Sequence, residues 1–176
     1  MNPKKALLPA PTFAEYEQAL VSVGCEISRY YLKEENDFCI QKDYPDVLKR
    51  EKPDIIFLCN PNNPTGNLIP EDILVNILDI CRDRNIVVVA DECFLRFNPQ
   101  YEIISCKRFL DDYDNLVIIN AFTKFYAMAG IRLGYMMSAN TELINRVSLQ
   151  LPEWNVSSVA QRAGCLLYTS PSPRDS

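Results

Sequence analysis

The chain has no histidine. That excludes serine–histidine–aspartate and cysteine–histidine catalysis and takes away the commonest transition-metal ligand. Any acid–base work falls to lysine, aspartate, glutamate, tyrosine or cysteine. Glycine is scarce: the five glycines, at 24, 66, 130, 134 and 164, form neither G-x-G-x-x-G nor a P-loop. A nucleotide- or dinucleotide-binding α/β module therefore lacks its signature. No apolar run approaches the roughly 18 residues that a membrane-spanning helix needs. The start of the chain, with Pro9 soon after a three-residue apolar run, does not read as a signal peptide. There is no basic block, and the net charge is −5, which argues against nucleic acid as the main partner. The seven cysteines are odd in number and contain no C-x-x-C pair. They read as small hydrophobes of a core, and a reducing cytoplasm follows as the expected compartment.

What is present is an ordinary globular composition, 48% hydrophobic and 23% charged over 176 residues, enough for one domain with a real core. Short apolar runs alternate with helical patterns. Residues 6–8, 27–32, 55–59, 86–90, 116–119 and 133–137 read as strands. A helix is expected from near Phe13, capped by Thr12 and ended by Gly24. Residues 33–43 read as a charged, exposed connection, followed by a short helix at 46–50. Pro70, Glu71 and Asp72 suit the start of a helix whose buried face is Ile73, Leu74, Ile77, Leu78 and Cys81. Two more helices are expected near 141–150 and 157–167. The continuously apolar run at 86–90 reads as a strand buried on both faces, the mark of a parallel sheet. The predicted class is α/β, a mostly parallel sheet sandwiched by helices. From Tyr168 the composition turns to proline and serine, so residues 168–176 read as a disordered or non-native tail.

Three polar residues follow three of these strands: Asn63, Asp91 and Lys124. Asn63 belongs to the run Asn60-Pro61-Asn62-Asn63-Pro64-Thr65-Gly66, far more polar and constrained than a simple connection requires. In a parallel sheet the carboxyl ends of the strands share one edge, where open α/β sheets bind ligands, so the three side chains can converge. A lysine there can form a Schiff base with an aldehyde. An aspartate can pair with a protonated ring nitrogen, and an asparagine can hydrogen-bond a phenolic oxygen. Arg132 adds a planar donor fork suited to phosphate. Together the four describe a pyridoxal phosphate site, with Lys124 and Asp91 in the catalytic roles. Singly, each has a plainer reading: a solvated lysine, a turn-capping aspartate, an Asn-Pro turn, a surface arginine. Order and spacing in combination favour the site.

The segments Leu58–Gly66, Ala90–Phe94 and Phe122–Tyr135 resemble the fold type I, class I/II aminotransferases, and the resemblance runs over roughly residues 4–166. It implies the partial large domain of a fold type I pyridoxal phosphate enzyme over residues 1–167. The earlier phosphate-binding turn and the C-terminal small domain of the family are expected to be missing. It also implies Lys124 as the Schiff-base lysine, Asp91 as partner of the pyridine nitrogen, Asn63 as partner of the ring oxygen and Arg132 as a phosphate ligand. Phe13 matches the aromatic that stacks on the cofactor. Ala121 stands where the family commonly has a hydroxyl for the phosphate, leaving Thr123 as the nearby substitute. The chain looks most like the branch of threonine-phosphate decarboxylases and histidinol-phosphate aminotransferases. Phe94, where many aminotransferases have a tyrosine, leans toward the decarboxylase and so toward cobalamin precursor synthesis. The resemblance further implies a phosphorylated small-molecule substrate and a homodimer. The alternatives are a histidinol-phosphate or related aminotransferase and a catalytically inactive fragment of such an enzyme.

Overall fold

The computed structural model describes residues 2–169. Six strands form one sheet: β1 (Lys5–Ala10), β2 (Glu26–Tyr31), β3 (Ile55–Cys59), β4 (Val87–Asp91), β5 (Leu116–Ala121) and β6 (Gly134–Met137). Their spatial order is β2-β1-β3-β4-β5-β6. All neighbours are parallel except β5 and β6, which are antiparallel. The helices are α1 (Glu15–Ser22), α2 (Tyr44–Glu51), α3 (Glu71–Asp83), α4 (Tyr101–Ile104), α5 (Thr141–Ser148) and α6 (Ser158–Thr169).

Strand alternation decides which side chains meet which helices. On one face, Ile56 and Leu58 of β3 and Val88 and Ala90 of β4 join Leu48 of α2 and Ile73, Ile77 and Leu78 of α3 in the main core. On the other face, Ala6, Leu8 and Cys59 pack with Tyr16 and Leu20 of α1. Val87, Val89 and Val117 meet Leu143 of α5 there as well. Every residue of β4 is buried, as the apolar run predicts for a central parallel strand. The register aligns the strand ends: Cys59 pairs with Asp91, and Asp91 pairs with Ile119. At the start of β6, Gly134 is required by close approach, because a Cβ there would lie 2.9 Å from the Asn120 carbonyl oxygen.

Several expectations need correction. Thr12 does not cap α1. The helix begins at Glu15 with Ala14 at its cap position and no side-chain cap. The Thr12 hydroxyl instead donates to Asn62 Oδ1 at 3.0 Å, a tertiary bond that a local pattern cannot foresee. The 33–43 connection is not uniformly exposed: Ile40 is buried and Phe38 packs against the main core. Asp91 is the last residue of β4 rather than the first beyond it. Helix α4 and the short 3-10 turns at Leu95–Phe97 and Cys106–Phe109 were not anticipated. None of the seven cysteines forms a disulfide among the described residues. Cys25, Cys59, Cys81 and Cys106 are buried as expected, whereas Cys165 is exposed. Helix α6 carries the chain to Thr169, into the stretch read as a tail, and residues 170–176 lie outside the described residues.

Ile77 is fully buried at the centre of the α3–sheet contact. Ile77→Ala is expected to cost about 2–5 kcal/mol in urea unfolding, the usual range for emptying such a site. Glu51 supplies a pH-dependent contribution. It accepts from Lys5 Nζ at 2.9 Å, Ser28 Oγ at 3.0 Å and Arg50 Nε at 3.2 Å. These bonds, the one from Lys5 first, hold its carboxyl down at about 2, against an ordinary 4.5. A lowered carboxyl stabilises the fold above its unfolded value and loses that contribution as pH falls through the folded one. Glu51→Gln should therefore flatten the stability–pH curve between 4.5 and about 2 while leaving its alkaline side unchanged.

Candidate active site

Asp91, at the carboxyl end of the central strand, is 7% exposed. A carboxylate so placed needs donors. Its Oδ1 accepts the Cys93 backbone N–H at 2.9 Å, and its Oδ2 accepts the Tyr16 hydroxyl at 2.5 Å. Among the described residues no cation forms an ion pair with it. The Tyr16 ring lies stacked against Phe57, with centroids 4.9 Å apart, and takes the edge of Phe13 at 5.4 Å. Burial first, and then the Asp91 charge, push the Tyr16 hydroxyl far above its ordinary value. It therefore stays protonated and remains a donor. Phe13 itself is 41% exposed, at the rim of this cluster.

The loop after β3 is tied to the same strand end, because the Asn60 N–H donates to the Asp91 carbonyl at 2.9 Å. Asn60 is buried, and its side-chain oxygen accepts from Ile69 N at 2.9 Å. Asn62 accepts from Thr12 and donates to the Pro11 carbonyl and to Thr65 Oγ1, each at 3.0 Å. Gly66 completes the turn at φ +77°, a conformation that favours glycine. Of the first three asparagines of the loop, two are thus spent on folding it. The Asn63 side chain forms no hydrogen bond among the described residues. It lines a groove of about 500 Å³ together with Phe94 and Phe97 from the loop after β4.

Lys124 stands in the turn that follows β5, exposed, with its ammonium 5.5 Å from the centre of the Phe94 ring. Among the described residues no carboxylate pairs with it. Its charge reaches Cys93: burial and then Asp91 push that thiol well up, and Lys124 draws it the other way. Asp91 bonds the Cys93 N–H, and the next residue, Phe94, lies near the Lys124 ammonium and lines the groove with Asn63. Thr123 is half-buried next to Lys124, and its hydroxyl has no hydrogen-bond partner among the described residues. Arg132 is exposed at φ +54°, and its Nη1 donates to the Ala129 carbonyl at 3.2 Å. No hydrogen bond or ion pair joins it to Asp91, Asn63 or Lys124 among the described residues.

Sequence reasoning missed Tyr16, whose donor role is as direct as any here. It was visible only as an apolar position of a helix, although it ends the segment Pro11–Tyr16 that also holds Phe13. Cys93 and the loop-building Asn60 and Asn62 were missed as well. The assembled groups suit a planar heterocycle. A buried carboxylate with lone pairs to spare can accept a ring N–H, an unpaired amine can meet an aldehyde, and an untied amide can bond a ring oxygen. The donor set therefore fits pyridoxal phosphate at its nitrogen, aldehyde and ring-oxygen positions.

A family model described as aminotransferase class I and II matches residues 1–168. The chain is 36% identical over 168 residues to a histidinol-phosphate aminotransferase of Ruminiclostridium cellulolyticum, covering 94% of this chain and 44% of that protein. It is also 36% identical over 165 residues to a threonine-phosphate decarboxylase of Salmonella typhimurium, covering 93% and 44%. Among solved structures, a histidinol-phosphate aminotransferase from Clostridium acetobutylicum superposes with a TM-score of 0.82 at 33% identity, covering 92% of this chain and 47% of that one. The chain thus spans less than half the length of the relatives it matches.

Tyr16→Phe removes a donor from a buried carboxylate without emptying space. Unfolding at neutral pH should show a loss of about 1.5–3 kcal/mol, the range for a hydrogen bond to a charged group. Because the folded hydroxyl titrates above its unfolded value of about 10, its contribution is full below that pH and fades above it. The deficit of the variant should therefore shrink as pH rises beyond 10. An undiminished stability at pH 7 would show that Asp91 does not depend on this hydroxyl.

Proposed function

Because the chain belongs to the class I and II aminotransferase family, we propose that it carries the cofactor-gripping part of a pyridoxal phosphate enzyme acting on a phosphorylated amino compound. The observation that carries this reading is Asp91, held by Tyr16 and the Cys93 N–H at the end of the central strand, with the ring of nearby Phe94 5.5 Å from the Lys124 ammonium. When bound, pyridoxal phosphate supplies an electron sink for a bond broken at the α-carbon of an amine substrate. Asp91, held in place by the Tyr16 hydroxyl and the Cys93 N–H, would accept the ring N–H and so favour its protonated form. Lys124 offers the amine that holds the aldehyde and can afterwards move a proton at the α-carbon. Asn63 would offer its amide to the ring oxygen, and Phe13 would stack against the ring. Arg132 and Thr123 are assigned to the phosphate. In this reading residues 1–167 are one part of a larger cofactor-binding domain, and the whole protein is a cytoplasmic homodimer.

The preferred reaction is decarboxylation of threonine phosphate. Phe94 supports it by presenting a bare ring beside Lys124, where a tyrosine would add a hydroxyl toward the ring oxygen. Transamination of histidinol phosphate is the second reading, supported by an equal identity to that class of relative and by the Clostridium structure.

Titrating the whole protein with pyridoxal phosphate should produce a visible absorption band that Lys124→Ala abolishes. Asp91→Asn should leave the band but lower turnover by about a hundredfold or more, since the ring nitrogen loses its charged partner. Carbon dioxide released from threonine phosphate, set against keto-acid-dependent turnover of histidinol phosphate, separates the two reactions. A band that survives Lys124→Ala would end the assignment.

A further inference from the structure

We infer that Arg96 is the positioning residue for Lys124: its guanidinium joins the loop after β4 to the turn after β5 and so fixes where the amine stands. The inference rests on the cofactor reading above.

Lys124 lies in a turn with few backbone tethers. Ala127 N donates to the Lys124 carbonyl at 3.0 Å, and Phe122 N donates to the Leu133 carbonyl at 3.0 Å. Neither bond reaches β4, which holds Asp91. The strands themselves are paired, Glu92 N donating to the Ile119 carbonyl at 2.9 Å, but beyond the strand ends the two loops are linked through side chains. Arg96, half-buried on the loop after Asp91, places its guanidinium carbon 5.4 Å from the Phe125 ring centre and 5.3 Å from that of Tyr126. It also donates to the Tyr126 hydroxyl. A third ring, Tyr101 of α4, lies 5.3 Å from it. Phe125 and Tyr126 directly follow Lys124, so the cation holds the side chains of the two residues next to the amine. Phe97 adds an edge-on contact to Phe125 at 5.6 Å, and Phe94 stacks with Phe97 at 6.2 Å beneath the Lys124 ammonium.

Arg96 has no carboxylate partner among the described ion pairs. Its positive charge is met by ring faces and one hydroxyl, an arrangement suited to a planar guanidinium. Cation–ring attraction survives small shifts of the rings while keeping them at contact distance. It therefore sets the separation of the two loops more than it sets any single bond. Reactive groups displaced by about an ångström lose rate steeply, so a link between the Asp91 and Lys124 loops bears directly on reaction geometry.

The test uses the whole protein freed of cofactor, as parent, Arg96→Ala, Arg96→Lys, Tyr126→Phe and Ile77→Ala. Each is mixed with limiting pyridoxal phosphate and reduced with borohydride, and the labelled lysines are mapped by mass spectrometry. The parent should concentrate label on Lys124. Arg96→Ala should lower the share on Lys124 about tenfold, and kcat about as much, with KM nearly unchanged. Arg96→Lys, which keeps a cation over the rings, should recover part of both. Tyr126→Phe, which removes only the hydroxyl that Arg96 donates to, should give a smaller loss in the same direction. Ile77→Ala should lower the unfolding midpoint without moving the label. Unchanged labelling in Arg96→Ala would overturn the inference, as would an equal loss in Ile77→Ala, which would mark mere loosening of the fold. A parent that shows no preference for Lys124 would overturn the cofactor reading, and this inference with it.

Discussion

The site depends on supplying hydrogen-bond donors to one carboxylate at the end of a buried strand. Asp91 closes a strand buried on both faces, where an ionised group without donors would carry a cost of several kcal/mol. Tyr16 and the Cys93 N–H meet that cost, one donor to each oxygen. The consequence is structural as well as chemical. Tyr16 belongs to α1, so the bond pins that helix to the central strand across the sheet face. Phe13 is thereby set at the rim one helical turn away, with its edge against the same ring. A requirement of the carboxylate thus positions an aromatic side chain that would otherwise have no fixed place.

Adjacent acids at the end of β4 divide the labour by strand alternation. Asp91 points to the α1 face. Glu92 turns into the opposite side, where it accepts the Ser105 hydroxyl at 2.7 Å and the Cys106 N–H at 2.6 Å. Burial raises its carboxyl above the ordinary value, while those bonds work the other way. Its role here is to tie residues 105–106 back to the strand. The segment between Asp91 and Ser105 is therefore fastened at both ends by carboxylates. That leaves Phe94, Arg96 and Phe97 on a short, constrained loop facing the Lys124 turn.

The sheet and its order of elements were legible because the central strands are apolar on both faces and the helices carry clean stripes. Residues 86–90 could hardly be anything but a buried strand, and Pro70, Glu71 and Asp72 announce α3 in the sequence itself. The strand-end polar residues were legible for the same reason, since each interrupts an apolar run. What escaped was carried by tertiary contacts. Thr12 offers a good capping pattern, yet its hydroxyl finds a better partner 50 residues away on Asn62. Tyr16 has the spacing of a core residue and is one, and only the polar end of its ring makes it part of the site. Phe38, Cys39 and Ile40 are three apolar residues in a polar stretch, too few for any periodicity. The region from Leu95 to Phe109 is built from turns of three or four residues, below the length at which a helical period can be read.

The first three asparagines of the loop after β3 show why composition alone does not separate function from architecture. All three stand in one polar turn, and by residue type they are equivalent. Asn60 is buried and bonds the backbone at Ile69, which closes the loop from below. Asn62 bonds Pro11, Thr12 and Thr65, which ties the loop to the segment leading into α1. With the loop held from both sides, Asn63 is carried to the groove opposite Phe94 with its amide uncommitted. An amide that must hold its own loop cannot also be free for a ligand. The loop therefore needs the first two asparagines in order to present the third, and its polarity follows from that division.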